Sequence, residues 1–106
     1  MKRRTPARMA AMIHALETAI EYLQHPDMTT MVGFPHDPDQ LASFLRTDIN
    51  LIDAPGKMEE KKYVLDDLQL AADYLDHPKI RALPFALNSS NIARSLREMI
   101  RDLSKI

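Results

Sequence analysis

The sequence contains no cysteine, and it has only two glycines, Gly33 and Gly56. Without cysteine the chain has no disulfide, thiolate metal site or cysteine nucleophile. This fits a reducing compartment, so we expect a cytoplasmic location. Tight turns between strands need residues with positive φ, usually glycine, so the shortage of glycine argues against a β-sheet protein. No apolar run is long enough to cross a bilayer, and the sequence therefore predicts no membrane partner.

Charge is distributed unevenly along the chain, although its net value is only −1. Residues 1–16 and residues 79–106 each carry a net charge of +4, and residues 17–78 carry −9. If the two ends fold together, the molecule has a basic pole and an acidic pole, which bears on partners rather than on fold. We interpret residues 1–4 as a basic arm and not as an export signal, because polar residues interrupt the segment that follows.

An internal repeat is the most informative feature of the sequence. The string Glu-Tyr-Leu-Gln-His-Pro at residues 21–26 returns as Asp-Tyr-Leu-Asp-His-Pro at residues 73–78. After a one-residue slip, the apolar pattern of residues 41–49 returns over residues 92–100. Repeated units bury their apolar faces against each other, so the repeat predicts an all-α four-helix bundle built from two similar helical-hairpin units. The chain is then one domain, 1–106, with units at 5–53 and 57–105 and the arm at 1–4.

The predicted helices have recognisable starts and ends. Thr5 and Pro6 are an N-cap and a first-position proline, and Asp37-Pro38-Asp39-Gln40 has the same pair with a glutamine that completes a capping box. The residue before a proline avoids the α region, so His25-Pro26 ends the first helix. The second helix is expected to end at residues 54–56, the third to span about residues 58–76 and the fourth to start near residue 89.

The repeat places His25 and His77 at equivalent positions, each with a carboxylate four residues earlier. Acid and imidazole then share a helix face, which admits a metal site or an acid–base site between the two units. Metal sites usually need three or four converging ligands, however, and a histidine in the last turn also interacts favourably with the helix dipole. We therefore predict helix-end histidines, with no metal, cofactor or catalytic residue. The repeated Tyr22 and Tyr74 are interpreted as half-buried packing residues whose hydroxyl groups reach water.

Seven methionines occur, and four of them lie in the first unit. Thioether side chains fill cores, and they also form surfaces that adapt to varied protein partners. Residues 28–34 form a short apolar connector that becomes an interaction patch if it is exposed. The candidate protein-binding residues are Met9, Met12, Met28, Met31 and Phe34.

Basic residues recur at three- and four-residue spacing along the fourth helix, at Arg94, Arg97, Arg101 and Lys105. This spacing predicts a basic stripe opposite the apolar face, although every amphipathic helix needs some polar outer face. Just upstream, Ala82–Arg94 resembles the helix-turn-helix motif of repressors, in which residues after the turn enter the major groove. The resemblance implies contacts to DNA from Ser89, Ser90, Asn91 and Arg94.

The sequence predicts a small non-catalytic regulatory or adaptor protein that binds another protein and forms a homodimer. The prediction depends on charge polarity, on methionine-rich helices and on the lack of a glycine-rich phosphate loop or a recognisable nucleophile. The alternative is a DNA-binding transcriptional regulator that uses residues 82–97 and the basic arm. A metal- or ligand-dependent enzyme is the third hypothesis.

Overall fold

The structure of the chain is a computed structural model, which describes residues 6–31, 33–52 and 58–104. Within these ranges it contains α-helices and one 3-10 turn, and no β-strand. The elements are α1 (Pro6–Leu23), α2 (Pro38–Ile52), α3 (Met58–Leu75), α4 (Pro78–Arg81), a 3-10 turn (Pro84–Ala86) and α5 (Ser89–Ser104). The all-α prediction is confirmed. None of the helices in these ranges combines the length and the apolar character needed to span a bilayer.

Two helix starts follow directly from proline chemistry. Both α1 and α2 begin at a proline, whose fixed φ suits the first helical position and whose missing N–H would have no partner there. At the start of α2 the Gln40 N–H donates to Asp37 Oδ1 at 2.8 Å, and the Asp37 N–H donates to Gln40 Oε1 at 3.1 Å. This is the predicted capping box, and it satisfies two helix-end donors. Thr5 and the end at residues 54–56 lie outside the described residues.

The core is formed by the apolar stripes of the four long helices. Helix α1 packs against α2 and α5, and α3 packs against the same two helices, so each long helix has two large contacts. Every long helix supplies fully buried side chains to this core, seven of them leucines and one a methionine: Leu16, Leu23, Leu41, Leu45, Leu68, Leu75, Leu96 and Met99. Each such side chain contributes roughly 1.5–3 kcal/mol by leaving water. Packing, more than helix propensity, therefore holds the elements together.

The segment between α3 and α5 is more structured than the short turn that the sequence predicts. Pro78 ends α3, as expected, but it also starts α4, with His77 as the N-cap residue. Ile80 of α4 and Ala86 of the 3-10 turn are fully buried, so both short elements are anchored to the core. The same His-Pro pair thus terminates one helix and initiates the next.

Candidate functional site

The two repeated histidines make the same local hydrogen bond. The Asp27 N–H donates to His25 Nδ1 at 3.0 Å, and the Lys79 N–H donates to His77 Nδ1 at 3.1 Å. In each turn the imidazole accepts through Nδ1, so Nε2 is the nitrogen that can donate. Both histidines lie two residues beyond the end of a long helix, His25 after α1 and His77 after α3. His77 also caps the N-terminus of α4.

Of the two carboxylates that precede the histidines by four residues, Asp73 has hydrogen-bond partners other than its histidine. Asp73, four residues before His77, accepts hydrogen bonds from Gln69 at 2.8 Å and from Arg97 at 3.3 Å. Asp73 is thus bonded to Gln69 on α3 and to Arg97 on α5, and not to His77. This disfavours a shared acid–base role for the repeated pairs.

Phenylalanines from the two interhelical connectors pack on the repeated Tyr-x-x-His pairs in a reciprocal way. Phe85, between α4 and α5, stacks on His25 with ring centroids 3.8 Å apart and planes within 5°, and it lies 6.0 Å from Tyr22. Phe34, between α1 and α2, contacts Tyr74 edge-on at 4.9 Å and His77 at 5.9 Å. Each connector therefore supplies a ring to the other half of the chain.

Tyr74 is fully buried, in contrast to the prediction that its hydroxyl reaches water. Its hydroxyl donates to the Thr29 carbonyl oxygen and accepts from the Met31 N–H, at 3.2 Å in the second case. Burial raises the pKa of Tyr74 above its usual value, so the hydroxyl stays protonated. The tyrosine ties the connector after α1 to α3. Tyr22 is half-buried, as predicted.

The methionines chosen as partner-binding candidates lie mainly inward. Met12 and Met31 are buried in the core, which contradicts their use as accessible anchors. Met28 and Phe34 are half-buried against that core, and the side chain of Met9 lies outside the described residues. Within the described ranges the large apolar side chains that are exposed are instead Leu87, at 76%, and Tyr63, at 64%. Sequence analysis missed Leu87 because it precedes α5 and belongs to no helical periodicity.

Phe85 and the two rings in contact with it are partly exposed, and two further apolar side chains lie within three residues of them along the chain. We call these five side chains the Phe85 surface: Tyr22, His25, Met28, Phe85 and Leu87. Tyr22, His25 and Phe85 are joined by the ring contacts, the Met28 N–H donates to the His25 carbonyl oxygen at 2.9 Å, and Leu87 follows Phe85 by two residues. Four members are half-buried, and Leu87 is the exposed one.

The basic stripe on α5 is interrupted. Arg97 bonds to Asp76 at 2.9 Å and to Asp73 at 3.3 Å, so it holds α5 against α3. Arg94 and Arg101 are exposed, but Glu98 is four residues after the first and three before the second, on the same helix face. Arg97 is therefore engaged within the fold, Glu98 flanks the stripe beside the exposed Arg94 and Arg101, and Lys105 lies outside the described residues.

The helix-turn-helix resemblance is not matched by the backbone. Residues 82–88 contain a 3-10 turn and no α-helix, so the first helix of the motif is missing, as expected for a segment that contains Pro84. Of the predicted DNA-contacting residues, Ser89 is fully buried, Ser90 is half-buried and Asn91 is exposed. A recognition helix would need these side chains together on an accessible surface.

A buried acidic pair lies between α2 and α3. Asp48 of α2 is 1% exposed, and it hydrogen-bonds to Asp67 of α3, which is half-buried. No donor from the described residues reaches Asp48 Oδ2. Burial is the main cause that raises the pKa of Asp48 to about 9, and burial also raises the pKa of Asp67. The signal in the sequence is the spacing of Asp48 from Leu41 and Leu45, which places a carboxyl group on the apolar stripe.

One further group is coupled to this pair. His36 lies edge-on to Phe44 at 4.9 Å, and its charge lowers the pKa of Asp67. No set of three or more histidine and acidic side chains in the described ranges is arranged to hold a metal ion.

Comparison with protein-family models, with curated proteins and with solved structures finds no significant match.

Proposed function

We propose that the chain is a small cytoplasmic regulatory or adaptor protein, without catalytic activity, that binds another protein and forms a homodimer. The observation that carries the proposal is the Phe85 surface. Leaving a leucine side chain in water forgoes roughly 1.5–3 kcal/mol of burial, and Leu87 is about three-quarters exposed. A single exposed leucine is common, but this one lies two residues after Phe85, which belongs to a cluster of half-buried rings. Clustered apolar surface is typical of interaction sites.

The Phe85 surface is also suited to binding by its rigidity. The Phe85 ring contacts both the half-buried Tyr22 and the stacked imidazole of His25. Side chains that are already fixed lose little conformational entropy when a partner covers them. The neighbouring Gln24 and Asp27 are exposed, so polar residues border the apolar ones, as in a typical interface with an apolar centre and a polar rim.

The DNA-binding alternative has less support. Arg97 is engaged with Asp73 and Asp76, Glu98 shares a face with Arg94, and residues 82–88 lack the first helix of the motif. Phosphate contacts from a duplex need accessible cations that no nearby acid neutralises. We therefore place a protein partner ahead of nucleic acid.

We also infer that the two halves are related helical-hairpin units that form a four-helix bundle. The reciprocal placement of Phe34 and Phe85 on the repeated Tyr-x-x-His pairs supports this. So does the equivalent hydrogen bond at each histidine. An experimental structure tests the inference: superposing residues 7–52 on residues 58–103 should place Tyr22 over Tyr74 and His25 over His77. If these pairs fail to coincide, the repeat reflects shared amphipathicity alone.

Sedimentation equilibrium tests the homodimer and the surface together. We expect the wild-type chain to be a dimer at tens of micromolar, Leu87→Glu to be a monomer, and Tyr63→Glu to remain a dimer. Tyr63 is the matched control because it is also largely exposed but lies on α3, outside the Phe85 surface. A wild-type monomer would refute the homodimer, and equal effects of both variants would refute the surface.

Binding of a different protein, beyond the homodimer, is tested by affinity capture from a nuclease-treated extract of the native host. A protein that is retained by the wild type and by Tyr63→Glu, but lost with Leu87→Glu, is the expected result. The same capture is also made without nuclease at physiological salt. Nucleic acid that is retained by the wild type and lost with Arg94→Gln would support the DNA-binding alternative.

A further inference from the structure

The contact between α2 and α3 contains a buried carboxyl group, Asp48, at a position where an apolar side chain would also pack. Asp48 is almost completely buried, and the buried Leu41 and Leu45 precede it on the same helix stripe. The sequence repeat aligns Asp48 with Met99, which is also buried. An apolar side chain therefore fits the equivalent position of α5, and a carboxyl group in α2 needs a separate explanation.

Electrostatics limit the state in which Asp48 and Asp67 can lie together. An ionised carboxylate is strongly disfavoured away from water, and two ionised carboxylates in contact repel each other. A hydrogen bond between two carboxyl groups requires a proton on one of them. Asp48 is almost completely buried, and its Oδ2 has no hydrogen-bond partner among the described residues, so nothing there stabilises a second negative charge. The pair is therefore stable in contact only with at least one shared proton.

We propose that the Asp48–Asp67 pair is a proton-dependent latch that holds α2 against α3 and releases its proton when the two helices separate. Separation then becomes easier as the pH rises. It also uncovers apolar residues of the core, among them Leu45 of α2 and Leu68 of α3. The latch is independent of the Phe85 surface.

The charges around the pair shift its pKa values in both directions. On α3, Asp66 raises the pKa of Asp67, whereas His36, which precedes α2, lowers it. From α3, the charge of Asp67 also raises the pKa of Asp48. On α2 itself, the Arg46 guanidinium is engaged with Gln24 of the loop after α1. The pKa of about 9 for Asp48 follows from burial first and from Asp67 second.

Amide hydrogen exchange of the whole chain, followed residue by residue between pH 5.5 and 9.5, tests the latch. Closed and open states differ by one bound proton, so the opening equilibrium of α2 and α3 should rise by roughly tenfold per pH unit up to about pH 9. This rise is in addition to the change in intrinsic exchange rate. Asp48→Asn keeps the shape and supplies an N–H donor to Asp67, and it should remove the additional rise.

Asp66→Asn is the matched control, because Asp66 is exposed and does not belong to the buried pair. It should retain most of the additional rise. Identical exchange profiles for the wild type and Asp48→Asn would overturn the proposal. Should Asp48→Asn fail to fold, a carboxyl-carbon NMR titration of the wild type decides the question. Titration of Asp48 well above the usual carboxyl range supports the latch, and titration near pH 4 overturns it.

Discussion

The two His-Pro turns have nearly the same sequence and make the same hydrogen bond, yet their surroundings differ. At the second turn Tyr74 is fully buried and bonded to Thr29 and Met31, and His77 starts α4. At the first turn Tyr22 is half-buried, and His25 stacks on Phe85. The turn is thus a local property of the motif, whereas the burial of its tyrosine depends on the connector that crosses from the other half.

The largest expected difference between the halves concerns Asp48 and its counterpart Met99. Asp48→Met should raise the free energy of unfolding at neutral pH by about 1–4 kcal/mol, because a buried acidic pair is replaced by an apolar contact. The folded-state pKa of Asp48, about 9, lies above the unfolded value. Protonated Asp48 therefore contributes fully to the free energy of unfolding below about pH 4. This contribution decreases by up to about 1.4 kcal/mol per pH unit as the pH rises to 9.

Urea unfolding of the wild type and Asp48→Met at pH 5, 6.5 and 8 measures this effect. The difference in stability should widen as the pH rises. A constant difference would mean that Asp48 is ionised in the folded state at all three values, and it would remove the electrostatic contrast between the halves.

The second-largest expected difference is in how much the hydroxyl groups of Tyr74 and Tyr22 contribute to stability. Tyr74→Phe leaves the Met31 N–H and the Thr29 carbonyl oxygen without their partner, and it should cost about 1–3 kcal/mol. Tyr22→Phe should change stability by less than about 0.5 kcal/mol, because the Tyr22 side chain is only half-buried. Thermal unfolding of the two variants provides the comparison, and equal losses would contradict it.

The smallest expected contrast separates the two histidines. Asparagine can accept the same backbone N–H, so His77→Asn should keep the cap of α4. It loses only the edge-on contact with Phe34 at 5.9 Å, and stability should change by no more than about 0.5 kcal/mol. His25→Asn keeps the turn but loses the stack on Phe85, which should cost about 0.5–1.5 kcal/mol. A double-mutant cycle with Phe85→Leu isolates the ring contact. No coupling in that cycle would show that the stack contributes nothing.

Local features of the chain are the ones that sequence analysis predicts correctly. Helix starts at Pro6 and Pro38, and the capping box of Asp37 and Gln40, depend on neighbouring residues alone. Residue type alone makes Met12 and Met31 candidates for an adaptable binding surface, but it does not predict their burial, which follows from contacts with other helices.

The sequence by itself therefore determined where the long helices begin, which face of each is apolar, and that both His-Pro pairs make turns. These follow from φ restriction, hydrogen bonds between near neighbours and the 3.6-residue period. Only the tertiary structure decided that Asp48 is paired with Asp67, that Arg97 is held by Asp73 and Asp76, and that Leu87 stays exposed beside Phe85. Each of these contacts or exposures depends on residues from different elements, whose relative placement is set by packing of the whole core.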